Sequence, residues 1–271
     1  MLSCNKIKDK VIDFENLNTY PPEILNLLSD YQEFRIIFND AERFENDYEY
    51  AIQEFAKKGR STLFNDENSM KTFIRRFADS LSDWSFIAYH ITRVLDPKDI
   101  KLHGLKILDL SNYIKRMRVV FRNHLGYSSV ETEKSLALLE TKIKEEPIRE
   151  NTLSFFAPNS RYILRKKSGG YLTLYGSVVG GEIANQAFNG HTQHDDLSRI
   201  GKTVIVKARF HIRNLMRETN EFGDTYGFFC FLFYLASQLL YVDSLDPDAY
   251  ILGQVTANVE PKDIIEIKCY P

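Results

Sequence analysis

Cysteine is scarce here: three in 271 residues, at Cys4, Cys230 and Cys269. They fall in a charged tail, an apolar run and a β-like run, without the spacing of metal ligands or of a disulfide framework. A reducing, cytoplasmic setting is therefore expected. Net charge is scarce too. The 35 basic residues against 37 acidic ones leave −2, so no global field draws the chain to nucleic acid or to an anionic membrane, and any such contact must be a local patch. The longest apolar run, "YGFFCFLFYLASQLLYV" from Tyr226 to Val242, carries Ser237 and Gln238. It falls short of the roughly 20 residues that span a bilayer, which predicts a buried helix and no membrane partner. The opening residues mix charge with apolar side chains and have no signal-like core. No repeat or low-complexity tract is present. Gly-x-Gly-x-x-Gly and Gly-x-Ser-x-Gly are both missing, which removes a dinucleotide fingerprint and the hydrolase elbow.

What is present suits one sizeable domain with a helical extension. In the first eighty residues, Pro21 and Pro22 suit a helix start. Phe44, Tyr48, Ala51, Ile52 and Phe55 recur at helical spacing before Gly59, and Met70, Phe73, Ile74, Phe77 and Leu81 share a second helical face. From Ser85 the pattern changes to "SFIAYHITRV", a strand signature. Asp96-Pro97 then opens a short helix that Gly104 can end. Two helices follow, Leu110 to about Leu125 and Ser129 to about Glu146. Beyond Pro147 the chain is strand-rich, in "NTLSFFAP", "RYILRKK", "GGYLTLYGS", "KTVIVKARF", "DAYILGQVTA" and "DIIEIKCY", interrupted by a helix from about Ser177 to Phe188 and by the apolar helix. Without regular β-α-β alternation this predicts an α+β fold with a mixed or antiparallel core. The expected division is 1–82, a helical N-terminal region, and 83–271, the β-rich domain.

Chemistry concentrates where the first long strand ends. Alternation puts His90 and Thr92 on one face and Tyr89, Ile91 and Arg93 on the other. A strand-end histidine is commonly satisfied by a neighbour, but two hydrogen-bonding side chains sharing a face also suit a ribose or an amide.

The stretch "AYHITRVLDPKDIKLHGLKIL" resembles the first signature of the ADP-ribosyltransferase superfamily, in which a strand ends in His and a short helix leads to Gly-Leu. It is most similar to the bacterial toxin-like and defence-associated branches, including DNA-modifying members. "LSFFAPNSRYIL" and "VEPKDIIEIKCY" resemble later segments of that branch, in the same order. The resemblance implies an NAD-binding domain over 83–271, with NAD as substrate and a macromolecular acceptor, protein or nucleic acid. It implies that His90 hydrogen-bonds a ribose hydroxyl, with Thr92 in support and Arg93 and Ser177 nearby. An aromatic from the middle strands, Tyr171 or Tyr175, would stack on the nicotinamide, although either ring also suits a core strand. An antitoxin or regulatory protein is a further implied partner.

The family places a carboxylate on a late strand to stabilise the cationic state as nicotinamide departs. Here that position is Gln254, which keeps a hydrogen bond but not the charge. Three explanations follow: another residue supplies the acid, the chain is a natural pseudoenzyme, or a Glu-to-Gln change silences a toxic enzyme. Glu182, in "YGSVVGGE", and Asp248 are the alternative acids; Gly176, Gly180 and Gly181 suit a turn that approaches a phosphate, and a helix dipole alone also favours Glu182. The expected activity is ADP-ribosyl transfer. NAD hydrolysis on the same fold and an inactive NAD- or nucleic-acid-binding module are the alternatives.

Two further constellations are weaker. His191 and His194 in "HTQHDD" have a metal-like spacing but read as a polar loop, so no metal is expected. In the helix from Leu110, Ile114, Met117, Phe121 and Leu125 form the buried side, and Lys115, Arg118 and Arg122 form a basic stripe. Together with Arg165, Lys166 and Lys167 that stripe is where phosphate contacts are expected if the acceptor is a nucleic acid; otherwise it is a solvated face.

Overall fold

A computed structural model of the chain describes residues 10–30, 76, 78–145, 151–158, 176–216, 224–241, 243–245 and 250–270. Its strands are β1 Val11–Ile12, β2 Ser85–Val94, β3 Leu153–Pro158, β4 Gly176–Ser177, β5 Lys202–His211, β6 Tyr250–Val255 and β7 Ile264–Tyr270. Its α-helices are α1 Pro22–Asp30, α2 Lys98–His103, α3 Leu110–Val119, α4 Ser129–Glu145, α5 Val178–Phe188, α6 Thr192–Arg199 and α7 Asp224–Tyr241. The fold is mixed α+β. Among the described residues the seven strands form one sheet with the order β6-β3-β2-β5-β7, while β1 and β4 each pair with β2. The pairs of β2 with β3 and β4, and of β5 with β7, are antiparallel; β1 runs parallel to β2.

Residues group into two compact units, Met1–Ile87 with Phe210–Ile251, and Ala88–Arg209 with Leu252–Pro271. This departs from a division at residue 82, because 210–251 groups with the N-terminal residues. The physical reason lies in α7. It is apolar on every side, with Phe228, Phe229, Phe231, Leu232, Phe233, Leu235 and Ala236 all buried, and its neighbours are the rings at the N-terminal side of the chain. Phe228 sits 4.6 Å from Phe86 and 6.0 Å from Phe14, and Phe86 stacks on Phe210 at 5.7 Å. Each such ring contributes about 1.5–3 kcal/mol by leaving water. No helix among the described residues is long and apolar enough to cross a membrane. Helix α1 starts at Pro22, as the Pro21-Pro22 pair predicts. The two amphipathic runs expected between residues 44 and 77 lie outside the described residues, apart from Arg76 and the turn that buries Leu81. Strand β1 is not expected from the sequence.

The second unit begins within β2, whose ten residues coincide with the predicted run. Asp96 Oδ1 accepts from Lys98 N at 2.9 Å to start α2, and Gly104, at φ 71°, ends it. A Cβ on Gly104 would stand 2.0 Å from the Val259 carbonyl oxygen. Only glycine lets the chain pass there, and the backbone of Leu105 then exchanges two 2.9 Å hydrogen bonds with Val259. Helices α3 to α6 share a core of Tyr113, Met117, Phe121, Leu136, Leu139, Ile183, Phe188 and Leu197. Helix α3 ends in a π-helical turn at Val120–His124. Helix α4 begins with a capping box in which Ser128 N donates to Glu131 Oε2 at 2.9 Å and Glu131 N donates to Ser128 Oγ at 3.3 Å.

Candidate functional site

Strand β2 changes partner beside His90. It opposes β3 at Tyr89–Phe156, then β4 at Thr92–Ser177 and Arg93–Gly176. His90 and Thr92 lie on one face, as alternation predicts, and are only 2% and 7% exposed. The imidazole is held by its Nδ1, 2.7 Å from the Ser154 carbonyl oxygen. A carbonyl only accepts, so Nδ1 carries the proton and Nε2 presents a lone pair. Burial pushes the pKa of His90 down to about 4, against the smaller opposing effect of that hydrogen bond. The ring is therefore neutral at physiological pH. Among the described residues Nε2 has no hydrogen-bond partner.

His90 and Thr92 line a cleft of about 380 Å³. Its walls are the end of β2, the helix α2 through Asp99, Ile100 and His103, the segment Gly104–Leu108, and α3 through Tyr113 and Arg116. A second cleft of about 720 Å³ adjoins it and shares Leu95, Lys106, Ile107 and Arg116. The outer cleft adds Lys115, Asp109, Asn112, Asn151 and Asn258. Lys106, Lys115 and Arg116 are exposed, and none is in an ion pair among the described residues. Asp109 is already engaged, accepting from Asn112 N at 3.0 Å and from Asn112 Nδ2 at 2.8 Å. The two clefts thus meet at a pair of uncompensated cations, with a neutral hydrogen-bond acceptor at the buried end.

The other expected site residues are placed as follows. Arg93 donates from Nε to the Ile200 carbonyl at 2.6 Å, from Nη1 to Thr203 Oγ1 at 3.0 Å and from Nη2 to the Gly201 carbonyl at 3.3 Å. It borders the cleft, and each of its nitrogens ties β2 to the start of β5. Partial burial draws its pKa down from the ordinary arginine value. Ser177 is the register partner of Thr92, Glu182 lies within α5, and the side chains of both are outside the described residues, as are Tyr171 and Tyr175 entirely.

Gln254 is not brought to the face of His90. Counting from the Tyr89–Phe156 pair, Phe155 stands opposite His90 and on its face. A Cβ on Gly253 would stand 2.5 Å from the Phe155 ring, so Gly253 points to that face and Gln254, the next residue of β6, points to the other. Buried Val255 follows the Gly253 side, while Leu252, 52% exposed, follows the side of Gln254.

His191 precedes and His194 occupies α6, an ordinary helix rather than the expected loop. His194 Nε2 lies 3.0 Å from Asn185 Oδ1, and Asp196 accepts from the Tyr127 hydroxyl at 2.6 Å. Burial, and then that bond, hold the Tyr127 pKa above its usual value. No group of three or more metal-ligating side chains occurs among the described residues. In the stripe along α3 and its π-helical turn, Arg118 pairs with Glu133 at 3.0 Å and Arg122 donates to Ser129 Oγ. Lys115 remains, joined in the outer cleft by Arg116 and Lys106.

Sequence reasoning missed Lys106, Arg116 and Asp99. The four-residue spacing of Asp99 and His103 on a helix was a usable signal. Lys106 and Arg116 had none, because the Leu105–Val259 bridge that positions Lys106 is a long-range contact. Comparison with family models, with curated proteins and with solved structures finds no match to this chain.

Proposed function

We propose that the chain is an ADP-ribosyltransferase of toxin or phage-defence type, binding NAD and transferring its ADP-ribose to a macromolecular acceptor, a protein or a nucleic acid. The observation that carries the reading is the buried, neutral His90, its tautomer fixed by Ser154 so that Nε2 offers a lone pair to a hydroxyl donor in a cleft. A ribose hydroxyl has that chemistry. Lys106 and Arg116, between the two clefts, match the paired negative charges of a pyrophosphate. The combined clefts suit an extended ligand with a nucleoside on either side, and their volumes lie in the usual range for small-molecule sites. Thr92, on the face of His90, supports the ribose end.

The test is calorimetric titration with NAD of the whole chain and of His90→Leu, whose side chain has no acceptor, with folding of the variant checked by circular dichroism. Binding weakened about tenfold or more is expected, since the acceptor is lost from a buried hydroxyl contact. Absence of NAD binding, or equal affinity in both proteins, refutes the reading. Labelled NAD incubated with separate protein, DNA and RNA fractions then identifies the acceptor class. Nicotinamide release without transfer of label would mark an NAD hydrolase, and binding without release a binding module.

A further inference from the structure

We infer that Asp99 is the carboxylate that works beside the reacting ribose, an inference that rests on the NAD reading above. Loss of nicotinamide leaves positive charge on the ribose carbon, and a fixed negative group close to it lowers that barrier. Gln254 carries no charge and faces away from His90. Asp99 is the only acidic side chain among the described residues lining the His90 cleft. It has no ion pair or side-chain hydrogen bond among the described residues, and the task of starting α2 is performed by Asp96.

Its position is fixed from both ends of the six-residue helix. Asp99 N donates to the Asp96 carbonyl at 3.1 Å, and Gly104 N donates to the Ile100 carbonyl at 2.8 Å. Beyond Gly104 the two Leu105–Val259 hydrogen bonds pin the chain to a segment that no side chain at position 104 would allow to approach. The backbone that carries Asp99 is thus held in place, its exposed, unpaired carboxylate lines one wall of the cleft, and His90 lies in another.

The step balances as follows. The bond between the ribose C1′ and the nicotinamide nitrogen breaks, with its electron pair leaving on nicotinamide. Asp99 faces the cationic ribose. A lone pair of the acceptor forms the new bond to C1′, and the acceptor's proton passes to the Asp99 carboxylate.

NAD affinity and nicotinamide release are measured on the full chain, with the lysate fraction that supports transfer, for the parent, Asp99→Asn, Asp99→Glu and Gln254→Glu. Asp99→Asn is expected to lower kcat about 100-fold or more while leaving the Kd for NAD within about threefold, because charge is needed only as nicotinamide departs. Asp99→Glu should recover part of the loss, and Gln254→Glu should give no increase. A parent-like kcat in Asp99→Asn, or a rise in Gln254→Glu, overturns the assignment while leaving NAD binding intact. A parent that binds NAD without releasing nicotinamide overturns it as well. A parent that does not bind NAD refutes the underlying reading, and the inference falls with it.

Discussion

Acid should destabilise this protein through His90 in a defined window. In the unfolded chain the imidazole titrates near 6.5, whereas in the folded protein burial holds its pKa at about 4. Above 6.5 neither state is protonated at this residue and the folded state keeps its full stability. As pH falls from 6.5 towards 4, the unfolded chain takes up a proton that the folded one refuses, so stability is lost; below about 4 both states are charged and the loss levels off. At about 1.4 kcal/mol per unit, the difference amounts to roughly 3 kcal/mol. The assay is urea denaturation of the parent and of His90→Gln, which cannot titrate, at a series of pH values from 7.5 to 4. Other titrating groups cancel in the comparison. The stability difference between the two proteins should shrink in favour of the variant by roughly 3 kcal/mol across that window. Parallel curves would refute the burial and the fixed neutral tautomer, and with them the hydrogen-bonding role assigned to Nε2.

Gly104→Ala should cost about 3 kcal/mol or more and disturb the His90 cleft. The residue sits at positive φ, and the added Cβ would meet the Val259 carbonyl at 2.0 Å; thermal unfolding reads the loss, and a stability change under about 1 kcal/mol would contradict the geometry. Lys106→Glu with Arg116→Glu should weaken NAD binding by about tenfold or more and flatten its salt dependence, as measured by titration at two ionic strengths; unchanged affinity would remove the pyrophosphate from the junction of the clefts.

Much of the site-bearing architecture was legible because local signals and tertiary structure agree. The β-branched run fixed β2 to the residue, and Asp96-Pro97 and Gly104 bounded α2, because turn chemistry acts over a few residues. Polar α6 was not legible. It buries one large apolar side chain, Leu197, and so has almost no helical stripe to read. The side of β6 that Gln254 occupies depends on how Gly253 meets Phe155, a strand-to-strand contact with no local trace. The hydrogen bonds of Arg93 were not legible either, because its partners at Ile200, Gly201 and Thr203 are far along the chain. The meeting of Lys106 and Arg116 escaped for the same reason, since it needs the Leu105–Val259 bridge and the packing of α3.

On the proposed function, the His90 cleft receives the ribose of NAD. Titrating NAD into protein carrying ¹⁵N-labelled histidine tests it most directly. A saturable shift of the His90 Nε2 resonance is expected as its lone pair accepts a hydroxyl, while Nδ1 stays bound to Ser154. NAD binding that leaves Nε2 unmoved, or no binding at all, would contradict it.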